Sequence, residues 1–95
     1  MPPARDSSED TTRFLAGLAA VARMIRGREQ LSQAEVARRA GVGPKFISAV
    51  EHGRANPCVT HLGQLAKGLG LSGIAELLSR ADEAASRITA LRSTD

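Results

Sequence analysis

The chain has 95 residues and a mass of 10.0 kDa, room for one small domain with a compact core, since such domains bury only about 60–65% of the surface exposed on unfolding. No apolar run approaches the roughly 18 residues of a membrane span, no signal-peptide pattern opens the chain, and Cys58 is the single cysteine, so a soluble cytoplasmic protein without an internal disulfide is expected. Trp and Tyr are absent and Phe14 and Phe46 are the only phenylalanines, which excludes a base-stacking platform for single strands and serves β-strands poorly. Alanine, leucine and arginine dominate instead, and these favour an all-α fold.

The net charge of +3 is unevenly spread. Residues 1–10 carry Arg5 against Asp6, Glu9 and Asp10. Residues 11–57 carry Arg13, Arg23, Arg26, Arg28, Arg38, Arg39, Lys45 and Arg54 against Glu29, Glu35 and Glu51, and residues 58–95 are balanced. Positive charge thus gathers in the first half of the folded part, as a nucleic-acid face requires and as a solvated arginine-rich surface also would.

Met1–Thr12 has two prolines and no Val, Leu, Ile or Phe, so residues 1–12 are expected to form a flexible arm. Phe14, Leu15, Leu18, Ala22 and Ile25 then step by helical spacings, predicting a helix that ends near Gly27. Ser32 and Glu35 form a capping box, with Leu31 and Val36 as its hydrophobic staple. The helix they start, residues 32–40, stops at Gly41, a left-handed terminator. Pro44 suits the first turn of the next helix, residues 44–52, which carries Ile47 and Val50 and stops at Gly53. Two short helices joined by a glycine-containing turn read as a helix-turn-helix.

Asn56-Pro57 marks a turn, and a fourth helix carries Val59, Leu62, Leu65, Ala66 and Leu69, with Gly68 and Gly70 closing it. Ser72 is placed to cap a fifth helix with Ile74, Leu77 and Leu78. Ile74, Ala81 and Ile88 recur every seven residues, as do Leu78 and Ala85, with Leu91 beyond. This stripe predicts a long last helix with a dimer seam; packing back on its own domain is the alternative. The expected organisation is an arm (1–12), a DNA-binding domain (13–80) and a helical dimerisation extension (81–95).

Leu31-Ser32-Gln33 opening one helix, Ala37 and Gly41 at the turn, Ile47-Ser48, then Glu51, Gly53 and Asn56-Pro57 together resemble the phage-repressor (Cro/CI-like) helix-turn-helix family, also called the xenobiotic-response-element family. The resemblance covers about residues 15–78 and implies a compact five-helix domain that binds double-stranded DNA. It implies a recognition helix from Pro44 to His52, its N-terminal residues facing base edges in the major groove. Gln33 and Arg54 match phosphate contacts, and Arg26 and Glu51 match a buried structural ion pair.

This sequence departs from the family at Pro44, which has no donor to offer, and at Ala49, which can touch only a thymine methyl. Readout then falls mainly to Lys45 and Ser48, with Phe46 as an apolar contact and Gly43 beside the groove. Cys58 stands where the family caps its fourth helix with serine, and Thr60 is the available substitute.

The lone Cys58 reads as a small packing residue or a redox switch. Arg38 and Arg39 read equally as DNA contacts or solvated charges. His52 and His61 match no metal spacing, and the glycines read as isolated helix terminators, not as a phosphate-binding loop. No catalytic residue, metal or cofactor is expected. The function expected is a sequence-specific transcription regulator, a repressor or autoregulator that binds a palindromic operator as a homodimer. The alternative is an antitoxin that binds a toxin partner as well as its operator, because Gly43–Ile47 resembles antitoxins of the HipB-like branch.

Overall fold

The computed structural model describes residues 8–93. It contains five helices among the described residues: α1 (Ser8–Arg28), α2 (Gln33–Ala40), α3 (Pro44–Glu51), α4 (Val59–Gly68) and α5 (Ile74–Ser93). The long α1 and α5 pack against each other, α2 and α3 form the turn-linked pair, α4 lies against α2 and α5, and α3 also leans on α1. The core joins all five: Leu18, Val21, Ala22 and Ile25 of α1 meet Val36, Ala37, Ile47, Val50, Leu65, Ala66, Leu77 and Ala81.

Helix α1 begins at Ser8, six residues before the apolar stripe at Phe14. The segment from Ser8 to Thr12 has no apolar anchor, but Glu9 and Asp10 lie in its first turn, where negative charge complements the helix dipole. Propagation from an already packed helix is easy once its nucleus exists, so residues 8–12 of the expected arm are helical. Residues 1–7 of that arm lie outside the described residues.

Only one half of the expected capping box is present at α2. The Glu35 N–H donates to Ser32 Oγ at 3.0 Å, but the Glu35 carboxylate turns forward to Arg38 (2.6 Å) and Arg39 (3.1 Å). Two cations outcompete one neutral N–H for a carboxylate. Helix α2 ends at Gly41, φ 74°, with the Val42 N–H on the Ala37 carbonyl at 3.0 Å, as a left-handed terminator requires. Pro44 takes the first position of α3 and Gly43 its cap.

Cys58 is the cap of α4 and its side chain accepts no capping hydrogen bond; Thr60 lies inside the helix and not at its cap. Cys58 is exposed, so it is not the small packing residue expected. Val59, assigned to the apolar stripe of α4, is 69% exposed. Before α5, the Ser72 N–H donates to Glu76 Oε1 at 2.8 Å, so here the carboxylate reaches back to the start of the helix.

Two glycines are packing residues and not terminators. A Cβ added at Gly17 would collide with the Ala81 carbonyl oxygen and stand 2.9 Å from the Ala85 nitrogen. One added at Gly68 would stand 2.7 Å from Ala40 Cβ and 2.8 Å from the Val36 oxygen. The α1–α5 and α2–α4 crossings both use a missing side chain to bring backbones together. This also corrects the seam expected on α5: Ala81 and Ala85 are buried against α1 of their own chain and have no surface to offer a partner. An alanine row is shallow, and a facing helix with glycine fills it first.

Candidate nucleic-acid interface

Helix α3 is short and two-sided. Ile47 and Val50 point into the core and are essentially unexposed. Helical periodicity therefore turns Pro44, Lys45, Ser48 and Ala49 outward. Lys45, Ser48 and Ala49 line one shallow concavity with Arg54 of the following loop, of about 240 Å³. Pro44, Lys45 and Arg54 are exposed, Ser48 and Ala49 partly so, and Gly43 lies open at the head of the helix. The fold thus brings Lys45, Ser48 and Ala49 of α3 and Arg54 of the loop to one surface.

Phe46 does not join them. It is partly buried against the core, with its ring 5.0 Å from that of His61 on α4. Positions 46 and 47 both face inward, Ile47 into the core and Phe46 toward His61 at its edge. A direct apolar contact between Phe46 and a base is therefore not supported.

The far end of α3 is held by charge. Arg26 of α1 grips the Glu51 carboxylate with two hydrogen bonds, Nε to Oε2 at 2.6 Å and Nη2 to Oε1 at 2.9 Å. It also donates to the Leu31 carbonyl at 3.1 Å, tying in the segment that leads to α2. Glu51 is 3% exposed and Arg26 28%. Burial alone would raise the Glu51 carboxyl, but hydrogen bonds from Arg26 and Gln33, with the charges of Arg26 and Arg23, carry it below the usual glutamate value. The same contacts raise Arg26.

Gln33 is drawn into this pair. Its Nε2 donates to Glu51 Oε1 at 3.1 Å, so part of its amide is committed inside the fold. Arg23, which the sequence did not single out, donates from Nη1 to the Glu51 backbone oxygen at 2.5 Å. Its one legible signal is that it stands three residues before Arg26 on the same helix face.

Arg38 and Arg39 both face Glu35, whose carboxyl their hydrogen bonds lower to about 2. His52 Nδ1 lies 2.8 Å from the Ser48 carbonyl. Among the described residues, no group of three or more His, Cys, Asp or Glu side chains is placed to hold a metal ion, and no helix is long and apolar enough to cross a membrane.

A family model described as a helix-turn-helix domain matches residues 17–79. The chain belongs to the helix-turn-helix family of transcriptional regulators. It is 41% identical over 59 residues, 62% of this chain and 75% of the other, to an uncharacterized HTH-type transcriptional regulator, y4dJ, of Sinorhizobium fredii. The helix-turn-helix fold aligns at a TM-score of 0.72 with the clp gene regulator ClgR of Corynebacterium glutamicum, at 24% identity and 83% coverage of each chain. A hypothetical transcription factor, NHTF, from Neisseria aligns at 0.61, with 33% identity over 82% of this chain and 86% of that one. The restriction–modification controller protein C.Esp1396I aligns at 0.67, with 20% identity over 78% of this chain and 95% of that one. As a member of this family, the chain pairs α2 with α3 across the turn at Gly41–Gly43.

Proposed function

We propose that this regulator binds a palindromic double-stranded operator as a homodimer and acts in the cytoplasm as a repressor or autoregulator, with no catalytic activity and no cofactor. The observation that carries this reading is the single outward surface formed by Lys45, Ser48, Ala49 and Arg54, opposite the buried Ile47 and Val50. With α3 in the major groove, Lys45 and Ser48 supply hydrogen bonds to base edges and Ala49 takes a thymine methyl. Gly43 and Pro44 let the backbone approach closely, and Arg54 faces a phosphate. Gln33, at the head of α2, offers a phosphate its backbone N–H and the remaining amide hydrogen.

One α3 helix presents few base contacts, and two-fold symmetry doubles them across half-sites about 34 Å apart. A surface for the second copy runs along α1 and α5. Met24, Ala84 and Ile88 line a groove there, and Leu78 and Leu91 are 37% and 76% exposed. Selection of bound duplexes from a random pool, with sedimentation of the free protein and the complex, tests both halves of the reading. An enriched inverted repeat and a dimer mass are expected. No enriched sequence refutes operator recognition, and a monomer on the enriched duplex refutes the dimer.

A further inference from the structure

We propose that Arg23 is a positioning residue for DNA recognition. By holding the backbone carbonyl of Glu51, it sets the angle at which α3 presents Lys45 and Ser48. The inference rests on the reading of α3 as the recognition helix.

Two arginines three residues apart on α1 grip one residue of α3 in two ways. Arg26 takes the Glu51 carboxylate at 2.6 and 2.9 Å. Arg23 takes the Glu51 main-chain oxygen at 2.5 Å. The two grips do different work. A carboxylate is separated from its backbone by rotatable side-chain bonds, so a hold there lets the helix pivot. The carbonyl lies in a rigid peptide plane and moves only with the helix itself.

It is also one of the last carbonyls of α3, which lack intrahelical partners. At the opposite end, Gly43 provides no side-chain cap. Ile47 and Val50 keep α3 against the core, but apolar burial is non-directional and supplies no hydrogen-bond geometry to orient the helix end.

The lever arm is what matters. Helix α3 has eight residues and is about 12 Å long at 1.5 Å per residue. A swing of about 10° at Glu51 moves its N-terminal end by about 2 Å. The useful range of a hydrogen bond spans only about 0.5 Å. A small loosening at residue 51 is therefore enough to spoil base contacts from residues 45 and 48 while the fold stays intact.

The test compares the wild-type chain with Arg23→Ala on the selected operator and on an unrelated duplex, at several salt concentrations and well below both melting temperatures. Specific affinity is expected to fall about tenfold, with binding to the unrelated duplex and the salt slope both unchanged. An equal loss on both duplexes with the slope reduced by about one would make Arg23 a phosphate contact and overturn the proposal. So would an unchanged ratio between the two duplexes, or a variant unfolded at the assay temperature. A wild-type chain that prefers no duplex would sink the recognition reading itself. Amide exchange without DNA judges Arg23 separately: it should quicken in the last turn of α3 and not in α4, and equal exchange overturns the positioning role.

Discussion

Replacing Gly17 with alanine sets helix propensity against packing. Inside an exposed helix the change gains up to about 1 kcal/mol, because alanine loses less backbone entropy than glycine. Gly17 is buried where α1 crosses α5, and the new Cβ would overlap the Ala81 carbonyl oxygen and stand 3.0 Å from Ala85 Cβ. Neither obstacle is the end of a flexible side chain. The helices must therefore separate by about 1 Å, and a gap of that size forfeits a quarter to a half of each van der Waals contact it opens. Leu18, Val21, Ala22 and Ile25 of α1 belong to the same core cluster as Leu77 and Ala81 of α5.

Overpacking of this kind costs about 1–3 kcal/mol, and the loosened crossing adds to it. A net destabilisation of about 1–2 kcal/mol is expected after the propensity gain. At this chain length that lowers the melting temperature by roughly 5–15 °C. Gly27→Ala is the matched control. It lies in the same helix with nothing within 4 Å of the added Cβ, and should stabilise slightly. Urea denaturation followed by circular dichroism reads both. The packing argument is refuted if Gly17→Ala is as stable as the wild type or more so.

Arg26→Ala leaves the buried Glu51 carboxylate without its bidentate partner and should cost about 3 kcal/mol; a variant that stays fully stable yet loses DNA would make Arg26 a contact residue. Lys45→Ala, at an exposed position, should leave the melting temperature unchanged and weaken specific binding by about 1–3 kcal/mol, or lower the salt slope by about one unit if Lys45 holds a phosphate. Glu51 titrates below its usual 4.5 in the folded chain, so the stability it contributes is complete above pH 4.5 and is lost as pH falls through its folded value. Denaturation midpoints from pH 6 to about 2 should therefore drop on the acid side, and Glu51→Gln, though less stable at neutral pH, should flatten that limb; parallel curves would refute the assignment.

The local architecture was legible in the sequence because it rests on neighbours in the chain. The stripe from Leu18 to Ile25, the Ser32 cap, the terminator at Gly41 and Pro44 at the head of α3 are set by helical spacing and backbone conformation over a few residues. The pairing of Arg26 with Glu51, and the choice of Lys45, Ser48, Ala49 and Arg54, came from the resemblance to the phage-repressor family. What the sequence could not decide was which partner a group finds across the fold. Gly17 and Gly68 read like any helix glycine until α5 and α2 lie against them. Ala81 and Ala85 read as a seam for a second chain until Gly17 fills it. Phe46 faces His61, and Gln33 and Arg23 converge on Glu51 from 18 and 28 residues away. Periodicity says that a side chain lies on one face of its helix, but the identity of what covers that face depends on crossings between helices far apart in sequence.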